Sequence, residues 1–372
     1  MVRLNDFGRQ WSLVGQEVLA AVERVGASGW YILGDQVTAF EQDLATFWPA
    51  THAVGVGSGL DAIEIGLRCL GIHPGDRVLT TPLSAFATTL AVIRVGGVPV
   101  FIDVDDSGLI DLDRCRALLR RDGSIRHLLP VHLYGHALDL DALDSLRAEF
   151  DLKVLEDCAQ SIGAAWHDRS TGTVGQVAAT SFYPTKNLGA LGDGGAILTA
   201  SSAIAERARA LRHYGQSATY VHDYVGLNSR LDELHAAVLR QVFLPRLEVW
   251  TGQRCRTAAL LRERISNTAI DLPPAPHGSS SCWHLFPVLV APEHRQAFME
   301  HLRRRGIQTA VHYPRLIPEQ RALTECGGSQ VVGELKNARR FAAGEVSLPV
   351  HPFLSEEEIF HVINSCNEWR GC

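Results

Sequence analysis

The sequence predicts an α/β protein: a large domain built on a mostly parallel seven-stranded sheet, then a smaller C-terminal α+β domain. Three observations carry this. Short apolar runs alternate with helical patterns through the first half of the chain. Most of these runs lack polar alternation, as strands covered on both faces do. After about residue 200 the alternation gives way to long helices.

The strands read, in order, as HAVGVG (52–57), RVLTTP (77–82), VPVFIDV (98–104), HLLPVHLY (127–134), LKVLEDC (152–158), AATSFY (178–183) and GGAILTA (194–200). Between them lie helices. GLDAIEIGLRCLG puts Leu60, Ile63, Leu67 and Leu70 on one face at steps of three, four and three. DLDALDSLRAEF (139–150) is similar. Further on, SRLDELHAAVLRQVF (229–243) predicts one helix, Pro245 ends it, and RTAALLRERI (256–265) predicts another. LPPAPHGSSS (272–281) reads as a loop. CWHLFPVLV, RQAFMEHLRRRGI and TAVHYP then read as strand, helix and strand. The boundary falls between a large domain, 1–245, and a small one, 246–372.

Composition narrows the function. The net charge is −6 and no basic stripe marks a nucleic-acid surface. No run of ~18 apolar residues is present to span a membrane. The opening MVRLNDFGRQW lacks the apolar core of a secretory signal. The eight cysteines, Cys69 to Cys372, include no C-x-x-C pair. Reduced thiols in a cytoplasmic protein are expected, with no disulfide framework and no metal site.

In open α/β sheets ligands gather at the carboxyl ends of strands. GVGSGLDA (55–62) places a glycine-rich turn between a strand and a helix, which suits a phosphate. Leu60 stands where a dinucleotide fingerprint needs glycine, so an NAD-dependent oxidoreductase is disfavoured. Asp157 ends an apolar strand, with Gln160 three residues on. Such an acid suits either a helix cap or a carboxylate that keeps a heterocyclic nitrogen protonated. Lys186 lies in SFYPTKNLGALGDGG, five residues after Ser181, between apolar and glycine-rich flanks. A desolvated lysine loses pKa and becomes a nucleophilic amine. A lysine for an aldehyde, an acid for a pyridinium, and a helix start with a hydroxyl for a phosphate together suggest pyridoxal phosphate. Phe86, after another strand end, offers an aromatic face for the ring.

These residues resemble a known family. GWYILGDQVTAFEQDLA, GVGSGLDAI, PVHLYGH, EDCAQSIGA, SFYPTKNLGALGDGG, LRHYG, GLNSRLDELHAAVL and VHYP, in that order, are similar to the DegT/DnrJ/StrS nucleotide-sugar aminotransferases of the pyridoxal-phosphate fold type I. The resemblance implies that Lys186 bonds to the cofactor aldehyde and later moves the proton. It implies that Asp157 pairs with the pyridinium nitrogen, Gln160 binds the ring hydroxyl and Phe86 stacks on the ring. The amides around Gly59 and Leu60, with the Ser181 hydroxyl, would hold the phosphate. Asn228 would reach that phosphate from the neighbouring subunit of a homodimer. Many family members carry threonine where this chain has Leu60, which implies one lost side-chain contact. A dehydrating branch carries histidine in place of the lysine, so Lys186 favours transamination.

The implied reaction moves the amino group of L-glutamate, leaving 2-oxoglutarate, to a nucleotide-linked keto-sugar. The form of the lysine block is closest to enzymes acting at C3 of a dTDP-3-keto-6-deoxyhexose. Action at C4 of a nucleotide-4-keto-6-deoxyhexose, a cyclitol aminotransferase and a non-catalytic binding module are the alternatives. Tyr183, Arg230, His312 and Tyr313 are the expected substrate contacts, and ordinary packing suits each of them as well.

Overall fold

The computed structural model describes residues 1–326 and 328–371. Its central sheet uses β1 (His52–Val56), β2 (Arg77–Thr80), β3 (Val98–Phe101), β4 (His127–Leu129), β5 (Lys153–Asp157), β6 (Val177–Ser181) and β7 (Gly195–Thr199). A smaller two-stranded sheet pairs β8 (Phe286–Leu289) with β10 (Glu345–Leu348), antiparallel. Between them in sequence, the two-residue β9 (Gln330–Val331) returns to the edge of the large sheet beside β3. The large sheet therefore has eight strands, in the order β1-β7-β6-β5-β4-β2-β3-β9. Only β7 runs against its neighbours. The parallel strands β2, β4, β5 and β6 consequently end along one edge, where Asp157 and Ser181 lie on adjacent strands.

The helices that matter to that edge start there. Two long helices come first, α1 (Phe7–Ser28) and α2 (Asp35–Phe47). After β1 comes α3 (Gly59–Cys69), capped by Ser58 Oγ, which accepts from the Asp61 N–H. Ile63, Leu67 and Leu70 are buried as the period requires, whereas Leu60 is half-buried. Truncating Ile63 or Leu67 to alanine should cost about 2–5 kcal/mol. After β2 comes α4 (Phe86–Arg94). The 139–150 segment forms α5 (Leu140–Phe150), capped by Asp139.

Three segments depart from the sequence reading. The 229–243 helix starts only at α6 (Glu233–Val238), because Asn228 and Asp232 bridge to His213 and Ile32 instead. Pro245 does not end it: a π turn (Leu239–Phe243) and a 3-10 turn (Leu244–Arg246) carry the chain into α7 (Leu247–Arg264). Proline at the start of a turn loses no needed N–H, and a π turn absorbs the mismatch. The 309–314 segment makes no strand; only Ala310 bridges, to Ser347.

The small sheet's core includes Phe286, Val288, Val346, Leu348 and the N-terminal Val2, which bridges to Ile307. Leu316, Leu335 and Phe341 pack instead with Leu79, Val100 and Leu128 of the large sheet. Cys69, Cys115, Cys158, Cys255, Cys282 and Cys366 carry free thiols, and Cys372 lies outside the described residues. Among the described residues no helix is long and apolar enough to cross a membrane.

Candidate active site

The β1–α3 turn forms one wall. The first N–H groups of α3, at Gly59 and Leu60, have no acceptor within the helix. Ser181, at the end of β6, packs so close that a Cβ on Gly59 would stand 2.6 Å from its Cβ. A Cβ on Gly195 would stand 2.5 Å from the Ser58 carbonyl. Ser181 Oγ accepts from the Tyr183 N–H at 3.2 Å, leaving its own hydrogen to donate. Ser229 Oγ accepts from the Gly57 N–H at 3.0 Å and donates to Asp61 at 2.7 Å. Residues 228–230 are thereby anchored beside this turn.

Asp157 forms the floor and is buried. Its Oδ2 accepts from Thr88 Oγ1 at 2.8 Å and its Oδ1 from the Ala159 N–H at 3.0 Å. Burial pushes its pKa up, against those hydrogen bonds and the nearby charge of Lys186. No lysine, arginine or histidine forms an ion pair with it among the described residues. Lys186 follows on the loop after β6, its N–H bonded to the Tyr183 carbonyl at 2.8 Å. Desolvation lowers its amine to about 8, partly offset by Asp157. The two charges are close enough to shift one another.

Gln160 joins this floor to the 309–314 segment. Its Oε1 accepts from the Tyr134 N–H at 2.7 Å, and its Nε2 donates to Tyr313 Oη at 3.2 Å. One Nε2 hydrogen remains. Tyr134, in left-handed backbone with φ 62°, donates its hydroxyl to the His312 carbonyl at 2.7 Å. Desolvation and the Lys186 charge lower His312 to about 4. The structure thus brings Lys186, Asp157, Gln160, His312 and Tyr313 together, and sets Gly59 against Ser181.

The other expected residues sit further out. Phe86 begins α4, half-buried, against Phe101 and Ile317. Leu60 packs with the α3 core. Tyr183 is 52% exposed and Asn228 is exposed. Arg230 stacks over Tyr214 and contacts His213 at 3.3 Å.

Sequence reasoning missed four supports. Thr88 sits in the ATT run two residues after Phe86, and that spacing was its only signal. His132 and Tyr134 lie in PVHLYGH and Glu156 in EDCAQSIGA, blocks that carry the resemblance, but no local pattern gave them a role. Glu156 is fully buried and accepts from His132 Nε2 at 2.9 Å and from the N–H groups of Gly172, Val174 and Gly175. His132 Nδ1 accepts from the Leu138 N–H, which fixes the proton on Nε2. His132, Glu156 and Cys158 place their ligand atoms within 4.8 Å of one another. Both His132 nitrogens and four Glu156 acceptor positions are already taken, so this group works as a hydrogen-bonded support behind Asp157.

The pattern of the DegT/DnrJ/EryC1/StrS aminotransferase family matches residues 13–367. The chain belongs to this family. It is 42% identical over 359 residues to the dTDP-3-amino-3,4,6-trideoxy-alpha-D-glucose transaminase of Streptomyces venezuelae, covering 95% of this chain and 92% of that protein. The crystal structure of S. venezuelae DesV superposes with a TM-score of 0.93 at 40% identity, covering 98% of this chain and 97% of that one. Bacillus subtilis NtdA, crystallised with the cofactor PMP, gives a TM-score of 0.85 at 28% identity over 94% and 80% of the two chains. As a DegT-family aminotransferase the protein is dependent on pyridoxal phosphate. Its residues fit that group: a buried acid forms no ion pair among the described residues, a desolvated amine stands near it, and a helix start is held open by glycine.

Proposed function

We propose that this aminotransferase moves the amino group of L-glutamate to C3 of a dTDP-linked 3-keto-6-deoxyhexose, in the cytoplasm, as a homodimer with shared sites. One observation carries the reading. The Lys186–Asp157 pair lies in a chain 42% identical, over 95% of its length, to a transaminase named for a dTDP-3-amino sugar.

When bound, pyridoxal phosphate supplies an electron sink that lets the carbon bearing nitrogen lose a proton. The chain's residues do the rest. Lys186 would hold the cofactor aldehyde, and its amine would move a proton at the donor carbon and at the sugar carbon as general acid and base. Asp157 stays ionised against the pyridinium nitrogen, helped by Thr88. Gln160 would give its remaining Nε2 hydrogen to the ring hydroxyl, and Phe86 would cover the ring face. The Gly59 and Leu60 N–H groups and the Ser181 hydroxyl hold the phosphate, at the positive end of α3. Leu60 brings only its backbone. His312 and Tyr313 close the sugar pocket from the 246–372 unit onto the 1–245 unit, with Tyr183 and Arg230 at its rim.

The homodimer is supported by exposed apolar groups in one stretch. Tyr220 is 88% exposed and Val225 is 87% exposed, just before Asn228. Isolated apolar residues on a surface are ordinary, but a run of them marks a contact. The partner copy would bury these residues and receive Asn228 at its phosphate.

Product analysis tests the substrate. The enzyme, L-glutamate and dTDP-3-keto-6-deoxyglucose should give 2-oxoglutarate and a sugar whose new nitrogen sits on C3 by NMR. Nitrogen on C4 of a 4-keto substrate, or turnover of cyclitol ketones alone, would overturn the assignment.

A further inference from the structure

Glu345 opens β10 and is fully buried, yet forms no ion pair among the described residues. Its Oε2 accepts from the His312 N–H at 2.6 Å, and its Oε1 accepts from Ser347 Oγ at 2.5 Å. Ser347 Oγ in turn lies 2.8 Å from His312 Nδ1. Ser347 is itself fully buried. These contacts form a closed chain from a carboxyl, through a hydroxyl, to an imidazole at the Lys186 site.

A hydroxyl has one hydrogen to give. While Ser347 donates to an ionised Glu345, it can only accept from the ring. Nδ1 then carries the proton, and Nε2 keeps its lone pair. If Glu345 is protonated, its O–H donates to Ser347, and Ser347 must donate to Nδ1. The ring proton then sits on Nε2. The carboxyl gains one proton from solvent; the ring loses one at Nδ1 and regains one at Nε2, so its charge is unchanged. His312 Nε2 has no hydrogen-bond partner among the described residues, so this is the nitrogen left to meet a ligand.

We propose that Glu345 is a positioning residue that sets, through the Ser347 hydroxyl, which nitrogen of His312 carries the proton. His312 thereby meets the keto-sugar as an acceptor in one state and as a donor in the other. Only this last clause rests on the substrate reading above.

The surroundings leave Glu345 as the group that decides. Burial raises it to about 8, opposed by Ser347, the His312 N–H and the Arg295 charge. Burial and Lys186 lower His312 to about 4, so its ring is neutral above that. His284 lies well below its ordinary range through burial and the charges of Lys186, Arg254 and His312. Burial lifts Tyr134 and Tyr313 above theirs. Lys186 also titrates near 8 when free, so a control that keeps Lys186 and removes the Glu345 charge is needed. Glu345→Gln is that control: its amide N–H₂ donates to Ser347 and fixes the donor state.

The test is ¹⁵N NMR of histidine-labelled holoenzyme, with the His312 ring signal identified by its loss in His312→Gln. In the wild type, Nε2 should pass from protonated to unprotonated as the pH rises through about 8. Glu345→Gln should hold the proton on Nε2 at every pH. Ser347→Ala, the smaller change, should abolish the transition and serves if Glu345→Gln does not fold. The same Nε2 signal in wild type and Glu345→Gln across that range, or a transition retained in Ser347→Ala, would overturn the proposal. Failure to aminate any keto-sugar would leave these spectra unchanged, so the two readings fail separately.

Discussion

Thr88 Oγ1 donates to Asp157 Oδ2 across 2.8 Å, so a residue two positions beyond Phe86 on α4 holds the acid that ends β5. The bond favours the charged carboxylate, against a burial that disfavours it. Thr88→Val keeps the shape and removes the donor. It should cost about 1–3 kcal/mol of that preference, lowering kcat by roughly 5- to 150-fold. The acid limb of the pH–kcat profile should move to higher pH, because Asp157 must be ionised to act. Thr88→Ser should restore the limb. An unmoved limb in Thr88→Val would show that Thr88 only packs.

Lys186 should behave as an amine of pKa about 8 in the apoenzyme. Pyridoxal phosphate with borohydride should label it, at a rate that rises through about pH 8 rather than 10.5. The chain has only two other lysines, Lys153 and Lys336, so peptide mapping resolves the site. Lys186→Ala should lose the label and turnover together. The unfolded lysine keeps its proton up to 10.5 while the folded one releases it near 8, so the unfolded state binds more protons between them. Apoenzyme stability should therefore rise with pH across that window, read as a climbing urea midpoint.

The close approach of Gly59 and Ser181 predicts a cofactor defect. Gly59→Ala places a methyl 2.6 Å from the Ser181 Cβ, so the turn or the end of β6 must shift. Pyridoxal phosphate affinity should fall at least tenfold, with a loss of about 1–3 kcal/mol in stability from overpacking. Equilibrium dialysis of the cofactor against the variant measures the first and urea unfolding the second. Unchanged affinity would separate this turn from the phosphate.

Glu156 should be a stability residue. Burial alone would raise its pKa, but the hydrogen bonds from His132 Nε2 and from the Gly175 and Gly172 N–H groups outweigh it and hold it below the ordinary range. Its stabilisation is present above the unfolded value and is lost as pH falls through the lower folded one. Glu156→Gln turns an acceptor into a donor facing N–H groups, and should cost about 3–5 kcal/mol. The urea midpoint at pH 7 should drop sharply, and the wild-type advantage should shrink in acid.

The parts legible in sequence were those with local causes. α3 follows from apolar steps of three and four, and β5 from an apolar run ending in an acid. α1 could have been read the same way, from the Asp6 cap and the buried Val14, Val18, Ala21 and Val25. Other features depend on distant partners. Asp232 leaves its expected helix because Ile32, far away in sequence, offers it a bridge. The 309–314 segment looks like a strand, yet its His312 N–H is claimed by Glu345 from β10. Thr88, Tyr134 and Glu345 reach Asp157 and His312 through contacts 69, 178 and 33 residues away in sequence, beyond the reach of any local pattern.

The most direct measurement is the visible absorption of the purified holoenzyme before and after L-glutamate, then after a dTDP-3-keto-6-deoxyhexose. The account predicts a band from cofactor held by Lys186, its bleaching by glutamate with release of 2-oxoglutarate, and its return with the keto-sugar. A band that glutamate leaves unchanged, or a bleached band that no nucleotide-linked keto-sugar restores, would contradict it.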